Sequence, residues 1–221
     1  MIVADSPPIS KPKLVSELSI FYPCYISKKQ RILSQTIGPF YTLLVEDFMH
    51  LIECTYEKHA TAILEILNEA IVNSTALYDY TPRSPESMIK WFEGKTAGSY
   101  PVIGVLSNEG ALVGFGSYGP FRPFPAYKYT IEHSVYVEPS HRGKGIGKIL
   151  LHKLIECATT QNYHVMVAAI DKDNQRSISL HEKLGFTHAG TILHAGFKFG
   201  RWLDLVFYQL ILKTPAHPVD G

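Results

Sequence analysis

Three glycines at alternate positions separate a predicted strand from a predicted helix, in the sequence Arg142-Gly143-Lys144-Gly145-Ile146-Gly147. The strand, Tyr129–Val137, ends at Glu138-Pro139 because proline cannot donate a hydrogen bond to a sheet ladder. The segment Gly143–Gln161 then carries apolar residues at helical spacing. A helix N-terminus presents unpaired N–H groups and a partial positive charge, and glycines let a ligand approach the backbone closely. The pattern therefore predicts a phosphate-binding turn.

Two common phosphate-binding patterns do not fit this turn. A P-loop needs a glycine five residues before its Gly-Lys pair and a Ser or Thr after it, whereas this chain has Arg142 and Ile149. The dinucleotide fingerprint Gly-x-Gly-x-x-Gly opens a βαβ unit, whereas this turn has Gly-x-Gly-x-Gly spacing and follows several antiparallel strands. The pattern that remains is Arg/Gln-x-x-Gly-x-Gly/Ala. A glycine-rich turn that only packs tightly stays open as an alternative.

The composition narrows the class of protein. Of the 221 residues, 46% are hydrophobic, and the formal net charge is +1. Such a chain has no electrostatic basis for binding nucleic acid or an anionic membrane surface, and its apolar runs are shorter than the roughly 20 residues of a membrane span. The three cysteines lack Cys-x-x-Cys spacing, and the ten histidines lack His-x-x-x-His spacing. We therefore expect a cytoplasmic protein without a disulfide framework or a metal.

The chain divides into three parts by pattern. Residues 1–47 have neither helical nor alternating periodicity and are interpreted as a poorly patterned N-terminal extension. Residues 48–213 form the regular domain, and residues 214–221 are a polar tail. One hypothesis is that the functional domain begins at Met49. The alternative is an ordered N-terminal arm that packs on the domain.

The predicted elements follow the order strand, two helices, three antiparallel strands, helix, strand, helix and final strands. Their bounds are Met49–Cys54, His59–Val72, Pro85–Lys95, Pro101–Ser107, Ala111–Gly119, Tyr129–Val137, Gly143–Gln161, Tyr163–Ile170, Ser177–Leu184, Thr187–Lys198 and Trp202–Leu212. This order predicts an α+β fold with one mixed, mostly antiparallel sheet flanked by helices.

A resemblance to a known family extends well beyond the glycine turn. The segment Glu132-His133-Ser134-Val135-Tyr136-Val137 precedes the turn, and Asn174–Phe186 and Gly196–Asp204 follow it. Upstream lie Asn73-Ser74-Thr75-Ala76, Pro82-Arg83-Ser84 and Phe121–Tyr127. Over about residues 49–212 the chain resembles the phosphinothricin and methionine sulfone/sulfoximine N-acetyltransferases of the GNAT superfamily.

The resemblance implies a GNAT acyl-CoA N-acyltransferase fold, a homodimer, and direct acetyl transfer from acetyl-CoA to the α-amine of a small amino-acid-like substrate. It implies that the pantetheine arm and the thioester meet backbone groups of Val135, Tyr136 and Val137. The pyrophosphate would lie on Arg142, Gly143, Lys144, Gly145, Ile146, Gly147 and Lys148, with Asn174 meeting the cofactor beyond the next strand. The substrate pocket would be lined by Arg122, Pro123, Phe124, Glu132, His133 and Ser134.

The chemistry of acetyl transfer asks for the same residue types. An α-ammonium must lose a proton before it attacks a thioester, and Glu132 is the candidate base. The N–H group of Val135 is the candidate partner for the developing oxyanion. His181 is the candidate proton donor to the leaving CoA thiolate. Arg122 could bind a substrate carboxylate with two hydrogen bonds.

Each of these residues also has a purely structural interpretation. Glu132 could pair with a nearby cation, and His181 could be a packing residue. His133 points to the opposite sheet face from Glu132, and it could be a structural histidine. Arg122 could be a solvated loop arginine, and Arg83 either touches substrate or only fixes its turn. Two other functions stay open: acetylation of a protein N-terminus or ribosomal protein, and a non-catalytic acetyl-CoA-binding module.

Overall fold

A computed structural model describes residues 50–220. The predicted extension, residues 1–47, and the hypothesis of a domain start at Met49 lie outside these described residues.

Seven strands form one sheet in the order β1-β2-β3-β4-β5-β7-β6. The strands are β1 His50–Glu53, β2 Val102–Leu106, β3 Leu112–Pro120, β4 Thr130–Val137, β5 Val165–Asp171, β6 Thr187–Lys198 and β7 Arg201–Ile211. In the described sheet β4 and β5 run parallel, whereas the other five neighbouring pairs are antiparallel. The predicted α+β fold with a mixed, mostly antiparallel sheet is confirmed.

Four α-helices flank the sheet: α1 Tyr56–Asn73, α2 Pro85–Ala97, α3 Ile146–Thr160 and α4 Gln175–Lys183. Helix α3 begins three residues later than predicted, because Gly143 and Gly145 have φ angles of 82° and 86°, which lie in the left-handed region outside a right-handed helix. Helix α4 begins two residues earlier than predicted. There the side-chain oxygen of Asn174 caps the helix by accepting a hydrogen bond from Ser177 N at 3.2 Å.

Two apolar layers hold the helices on opposite faces of the sheet. Helix α3 buries Leu150 and Leu154 completely in a core with Ile131 of β4. On the other face, α1 and α2 contribute Ile63 and Met88 to a second core that contains Phe115 of β3. Helices cover both faces of the sheet over much of β2–β4. A β4 side chain therefore packs toward α3 or toward α1 and α2, depending on the face from which it projects.

The predicted polar tail folds back on the domain over its described part. Thr214 Oγ1 donates to the carbonyl of Tyr163 at 2.5 Å, and the Thr214 carbonyl accepts a bond from His164 Nδ1 at 2.7 Å. Of the cysteines in residues 50–220, Cys54 is a buried free thiol.

Candidate active site

The open side of β4 is the centre of the candidate site. β4 pairs with β5 over its first three residues, ending at Glu132, and then continues to Val137 with β3 as its only neighbour in the described sheet. The hydrogen bond from Glu138 N to Val113 O shows that even-numbered residues here turn their backbone groups toward β3. Odd-numbered residues therefore turn theirs toward β5. Beyond the paired segment, the backbone of Val135 faces a cleft between the two strands.

The glycine turn lies at the end of this cleft and has the geometry of an anion site. Gly143 and Gly145 need their left-handed φ angles, and Gly145 is the N-cap of α3. The side chain of Ile146 is buried, so this residue offers a ligand its N–H group only. A Cβ at Gly147 would lie 3.4 Å from the Leu180 side chain, which is an ordinary contact distance. The N–H group of Lys148 donates to the Gly145 carbonyl at 3.0 Å, and the N–H groups before it at the start of α3 are available to a phosphate.

The cations around the turn have different roles. Arg142 is engaged within the protein: its Nη2 lies 2.8 Å from Glu69 Oε2 of α1, and its Nε donates to the carbonyl of Val137 at 3.0 Å. Lys144 and Lys148 are exposed. The structure therefore shows Arg142 tying the turn to α1 and β4, while the two lysines extend into solvent beside it.

Glu132, Ser134 and Tyr136 face the α1/α2 side of the sheet. The ring of Tyr136 packs 5.4 Å from Phe115 in that layer, and alternate residues of a strand share a face. Glu132 is half-buried, and burial raises the pKa of its carboxyl group, whereas the charge of Arg122 acts to lower it. The pKa of Glu132 is therefore shifted upward, in the direction that suits a general base working near neutral pH.

The loop after β3 brings Arg122 into electrostatic range of Glu132. Arg122 Nη1 donates to the Phe121 carbonyl at 3.0 Å, and its guanidinium lies 4.3 Å from the Phe121 ring centre. Arg122, Pro123 and Phe124 line a cavity of about 220 Å³. A larger cavity of about 650 Å³ is lined by residues of β1, α1, α2 and the start of β2, at a distance from the glycine turn along the fold.

His133 and His181 form a buried pair on the opposite face of β4. Their Nε2 atoms are 3.1 Å apart, their rings stack, and burial lowers the pKa of both imidazoles. His181 Nδ1 lies 2.7 Å from the Ser177 carbonyl, which can only accept, so Nδ1 carries a hydrogen. The structure thus places His133 apart from Glu132 and Ser134, with which the resemblance groups it.

The loop between α1 and α2 contains Arg83, whose role the sequence left undecided, and its partner Asp79. Asp79 and Arg83 form a salt bridge of 2.9 Å. The Asn68 side chain holds the Arg83 backbone, accepting from its N–H at 2.7 Å and donating to its carbonyl at 3.0 Å. Burial raises the pKa of Tyr136 to about 12, and the charges of Arg83 and Asp79 modify this pKa in opposite directions. Leu77 of this loop packs against the same apolar core as Tyr136, so the loop borders the face that carries Glu132.

A family model described as Acetyltransferase (GNAT) family matches residues 61–186 of the chain. The chain belongs to the GNAT acetyltransferase family. An L-methionine sulfoximine/L-methionine sulfone acetyltransferase of Pseudomonas paraeruginosa is 47% identical over 150 residues, which are 68% of this chain and 87% of the relative.

Solved structures agree with this GNAT assignment. A putative acetyltransferase from Acinetobacter baylyi is 58% identical, with a TM-score of 0.77 over 78% of this chain and 97% of its own. A phosphinothricin acetyltransferase from Sinorhizobium meliloti in complex with acetyl-CoA is 36% identical, with a TM-score of 0.74 over 77% and 92%. A ribosomal-protein-alanine N-acetyltransferase from Brucella melitensis is 42% identical, with a TM-score of 0.71 over 74% and 99%.

These findings confirm the predicted GNAT fold and the prediction of an acetyl-CoA-dependent N-acetyltransferase. Within residues 50–220, no helix is long and apolar enough to cross a membrane. In the same residues, no group of three or more His, Cys, Asp or Glu side chains is arranged to hold a metal ion. The roles of the individual GNAT site residues stay predictions, which the geometry above makes specific.

Proposed function

We propose that this acetyltransferase transfers the acetyl group of acetyl-CoA to the α-amine of a small amino-acid-like substrate of the phosphinothricin, methionine sulfoximine or methionine sulfone type. The observation that carries the proposal is Glu132, a half-buried carboxylate of raised pKa within electrostatic range of Arg122. Glu132 is the last β4 residue that pairs with β5, and Val135 follows on the same strand, where its backbone groups have no partner in β5. The activities named for the relatives support the substrate class.

Acetyl-CoA would lie along the cleft between β4 and β5. Its pyrophosphate would meet the first-turn N–H groups of α3 together with Lys144 and Lys148. Its pantetheine arm would use the backbone groups that β4 turns toward the cleft at Val135 and Val137. Asn174 would approach the cofactor from the start of α4, where its side-chain oxygen already caps the helix.

The reaction begins with the loss of a proton from the substrate α-ammonium to the Glu132 carboxylate, directly or through water. The free amine then attacks the thioester carbon, and the N–H group of Val135 stabilises the oxyanion that develops. Collapse of the tetrahedral intermediate breaks the C–S bond and releases CoA as the thiolate, while the attacking nitrogen loses its second proton to water. Arg122 would hold the substrate carboxylate during these steps.

His181 is proposed as the proton donor to that thiolate, and this role depends on its protonation state. Its Nδ1 hydrogen is committed to the Ser177 carbonyl, so donation from Nε2 requires the doubly protonated ring. Burial opposes this charged form. A neutral His133 whose Nε2 accepts the Nε2 hydrogen of His181 would stabilise this form at the observed 3.1 Å. Donation to the thiolate then requires that hydrogen to leave the contact with His133.

The decisive experiment is acetyl-CoA turnover, detected by a thiol reagent, with phosphinothricin, methionine sulfoximine and methionine sulfone as acceptors. We expect CoA release that depends on the amine. Release only with peptides that carry ribosomal-protein N-termini would favour the rival function, which is the activity named for the Brucella melitensis structure. Tight acetyl-CoA binding without release for any amine would reject the enzyme and leave a non-catalytic binding module.

Arg122→Ala should raise KM for carboxylate-bearing amines about tenfold or more, because a charge-assisted bidentate contact is lost. The measurement compares each amino acid with its decarboxylated analogue in steady-state kinetics. Lys128→Ala is the matched control, since it removes another cation of the same loop. Equal effects of Arg122→Ala on amines with and without a carboxylate would reject the carboxylate contact.

We also propose that the chain forms a homodimer in the cytoplasm. The β6–β7 hairpin leaves several large apolar side chains exposed, namely Ile192, Leu193, Phe197, Phe199 and Trp202. Such a patch marks an interaction surface more often than a solvent face. Sedimentation velocity on the full chain tests this proposal, and a purely monomeric species across micromolar concentrations would contradict it.

A further inference from the structure

A buried ammonium group lies at the end of β6. Lys198 is only 5% exposed. Its Nζ donates to three backbone carbonyls, those of Ile71 and Leu77 at 2.6 Å each and that of Ser74 at 2.9 Å. An ammonium has three hydrogens to donate, so these contacts account for all of them. The three acceptors lie 121 to 127 residues away in the sequence, so the contact joins distant parts of the chain.

This arrangement explains why a charge can be buried here. Desolvation lowers the pKa of Lys198, and the charge of Asp79 acts in the opposite direction. A buried charge is tolerated when its hydrogen bonds are complete. The carbonyls of Ile71 and Ser74 belong to the C-terminal end of α1, where the helix dipole favours a cation. Lys198 therefore caps α1 and fixes the chain that leaves it.

Two further contacts hold the same segment against β6. We call residues 74–83 the α1–α2 loop. A Cβ built on Gly196 would lie 2.7 Å from the Tyr78 ring, so the ring occupies the space that a side chain would need. The Tyr80 hydroxyl donates to the Phe197 carbonyl at 2.5 Å. Three consecutive residues of β6, 196–198, thus contact the loop at Ser74, at Leu77 and Tyr78, and at Tyr80.

The far end of this loop borders the acceptor face of the sheet. Leu77 of the loop and Tyr136 of β4 pack against the same apolar core, and the charges of Arg83 and Asp79 influence the pKa of Tyr136. Tyr136 and Glu132 share one face of β4. A displacement of the loop would therefore move charges beside the proposed acceptor site, whereas the glycine turn is also held on β4, where Arg142 Nε donates to the Val137 carbonyl.

We propose that Lys198 is a positioning residue for the acetyl acceptor, because it holds the α1–α2 loop in place as one wall of the acceptor site. It acts through the loop and not on the reacting atoms. Amine binding then depends on Lys198, and acetyl-CoA binding does not. The inference rests on the proposed function, since it assigns the acceptor to the Glu132 face.

The test replaces Lys198 by Met, which keeps the length of the side chain and removes the three hydrogen bonds. We expect KM for the amine to rise about tenfold, as a wall of the site shifts, while KM for acetyl-CoA stays within about twofold. Limited trypsin cleavage at the Arg83–Ser84 bond should accelerate, because the loop opens more often. Lys90→Met, at an exposed position of α2, is the control and should change neither quantity.

Gly196→Ala provides a milder variant if Lys198→Met folds poorly. Its methyl group must displace the Tyr78 ring, so it should also raise KM for the amine selectively. Parallel rises of both KM values, or an unchanged amine KM in a variant whose loop is cleaved faster, would overturn the inference. If the wild type acetylates none of the amines, the proposed function fails and the acceptor role of Lys198 falls with it. The cleavage rates then report only whether Lys198 holds the loop.

Discussion

Glu132→Gln is expected to lower kcat/KM for the amine about 10²- to 10³-fold, with little change in KM for acetyl-CoA. Glutamine keeps the shape of the side chain but cannot accept a proton, and general base catalysis typically contributes this much. Because burial raises the pKa of Glu132, wild-type activity should be lost as pH falls through that raised pKa, where the carboxylate becomes protonated. The variant should lack this acidic limb.

The measurement is a pH profile of kcat/KM from pH 5 to 9 for both proteins. Glu93→Gln, at an exposed position of α2, is the control, because it makes the same chemical change outside β4. Similar profiles for the wild type and Glu132→Gln would remove Glu132 from the mechanism. An acidic limb that persists at full height in Glu132→Gln would assign the base to another group.

Gly145→Ala is expected to raise KM for acetyl-CoA about tenfold or more. Gly145 has a φ angle of 86° and caps the helix whose N–H groups are proposed to hold the pyrophosphate. A Cβ there would meet no atom within 4 Å, so the effect comes from backbone strain of about 1–2 kcal/mol and not from a clash. Relief of that strain would turn the N–H groups away from the phosphate.

Gly110→Ala is a closely matched control for this prediction. Gly110 has a φ angle of 80°, and a Cβ there would also meet no atom within 4 Å, but it lies in the β2–β3 hairpin. Both variants should lose a similar amount of thermal stability, as melting curves would show. Only Gly145→Ala should weaken acetyl-CoA binding in titration calorimetry. Equal acetyl-CoA affinity in the two variants would contradict the role of the turn.

Local patterns predicted the parts of the site that depend on one element. Strand alternation places Glu132 and His133 on opposite faces, and the structure shows this arrangement. Alternate glycines before an apolar helical repeat predict the turn, although Gly143 and Gly145 delay the start of α3 by three residues. These features follow from backbone geometry over a few residues, and sequence spacing records that geometry directly.

Contacts between distant segments could not be predicted in the same way. A lysine at the end of a strand is normally expected to be exposed, and nothing near Lys198 in the sequence indicates its three carbonyl partners. The Arg142–Glu69 ion pair joins residues 73 positions apart. The sequence assigned Arg142 to the phosphate, whereas the fold also uses it to join α1 to the turn. Such partners are set by tertiary packing.

The early end of pairing between β4 and β5 leaves the sheet with a seam. On one side are four strands, β1 to β4, and on the other are three, and three residue pairs join the halves across the described sheet. The amides of acetyl-CoA, if they bond to the Val135 backbone, would occupy the place of an additional strand between β4 and β5. The bound co-substrate would then connect the two parts of the sheet. By mass action, acetyl-CoA at 100 times its Kd would add about 2.7 kcal/mol to the free energy of unfolding. The free energy of unfolding would then depend on the acetyl-CoA concentration, because acetyl-CoA binds in the cleft that divides the sheet.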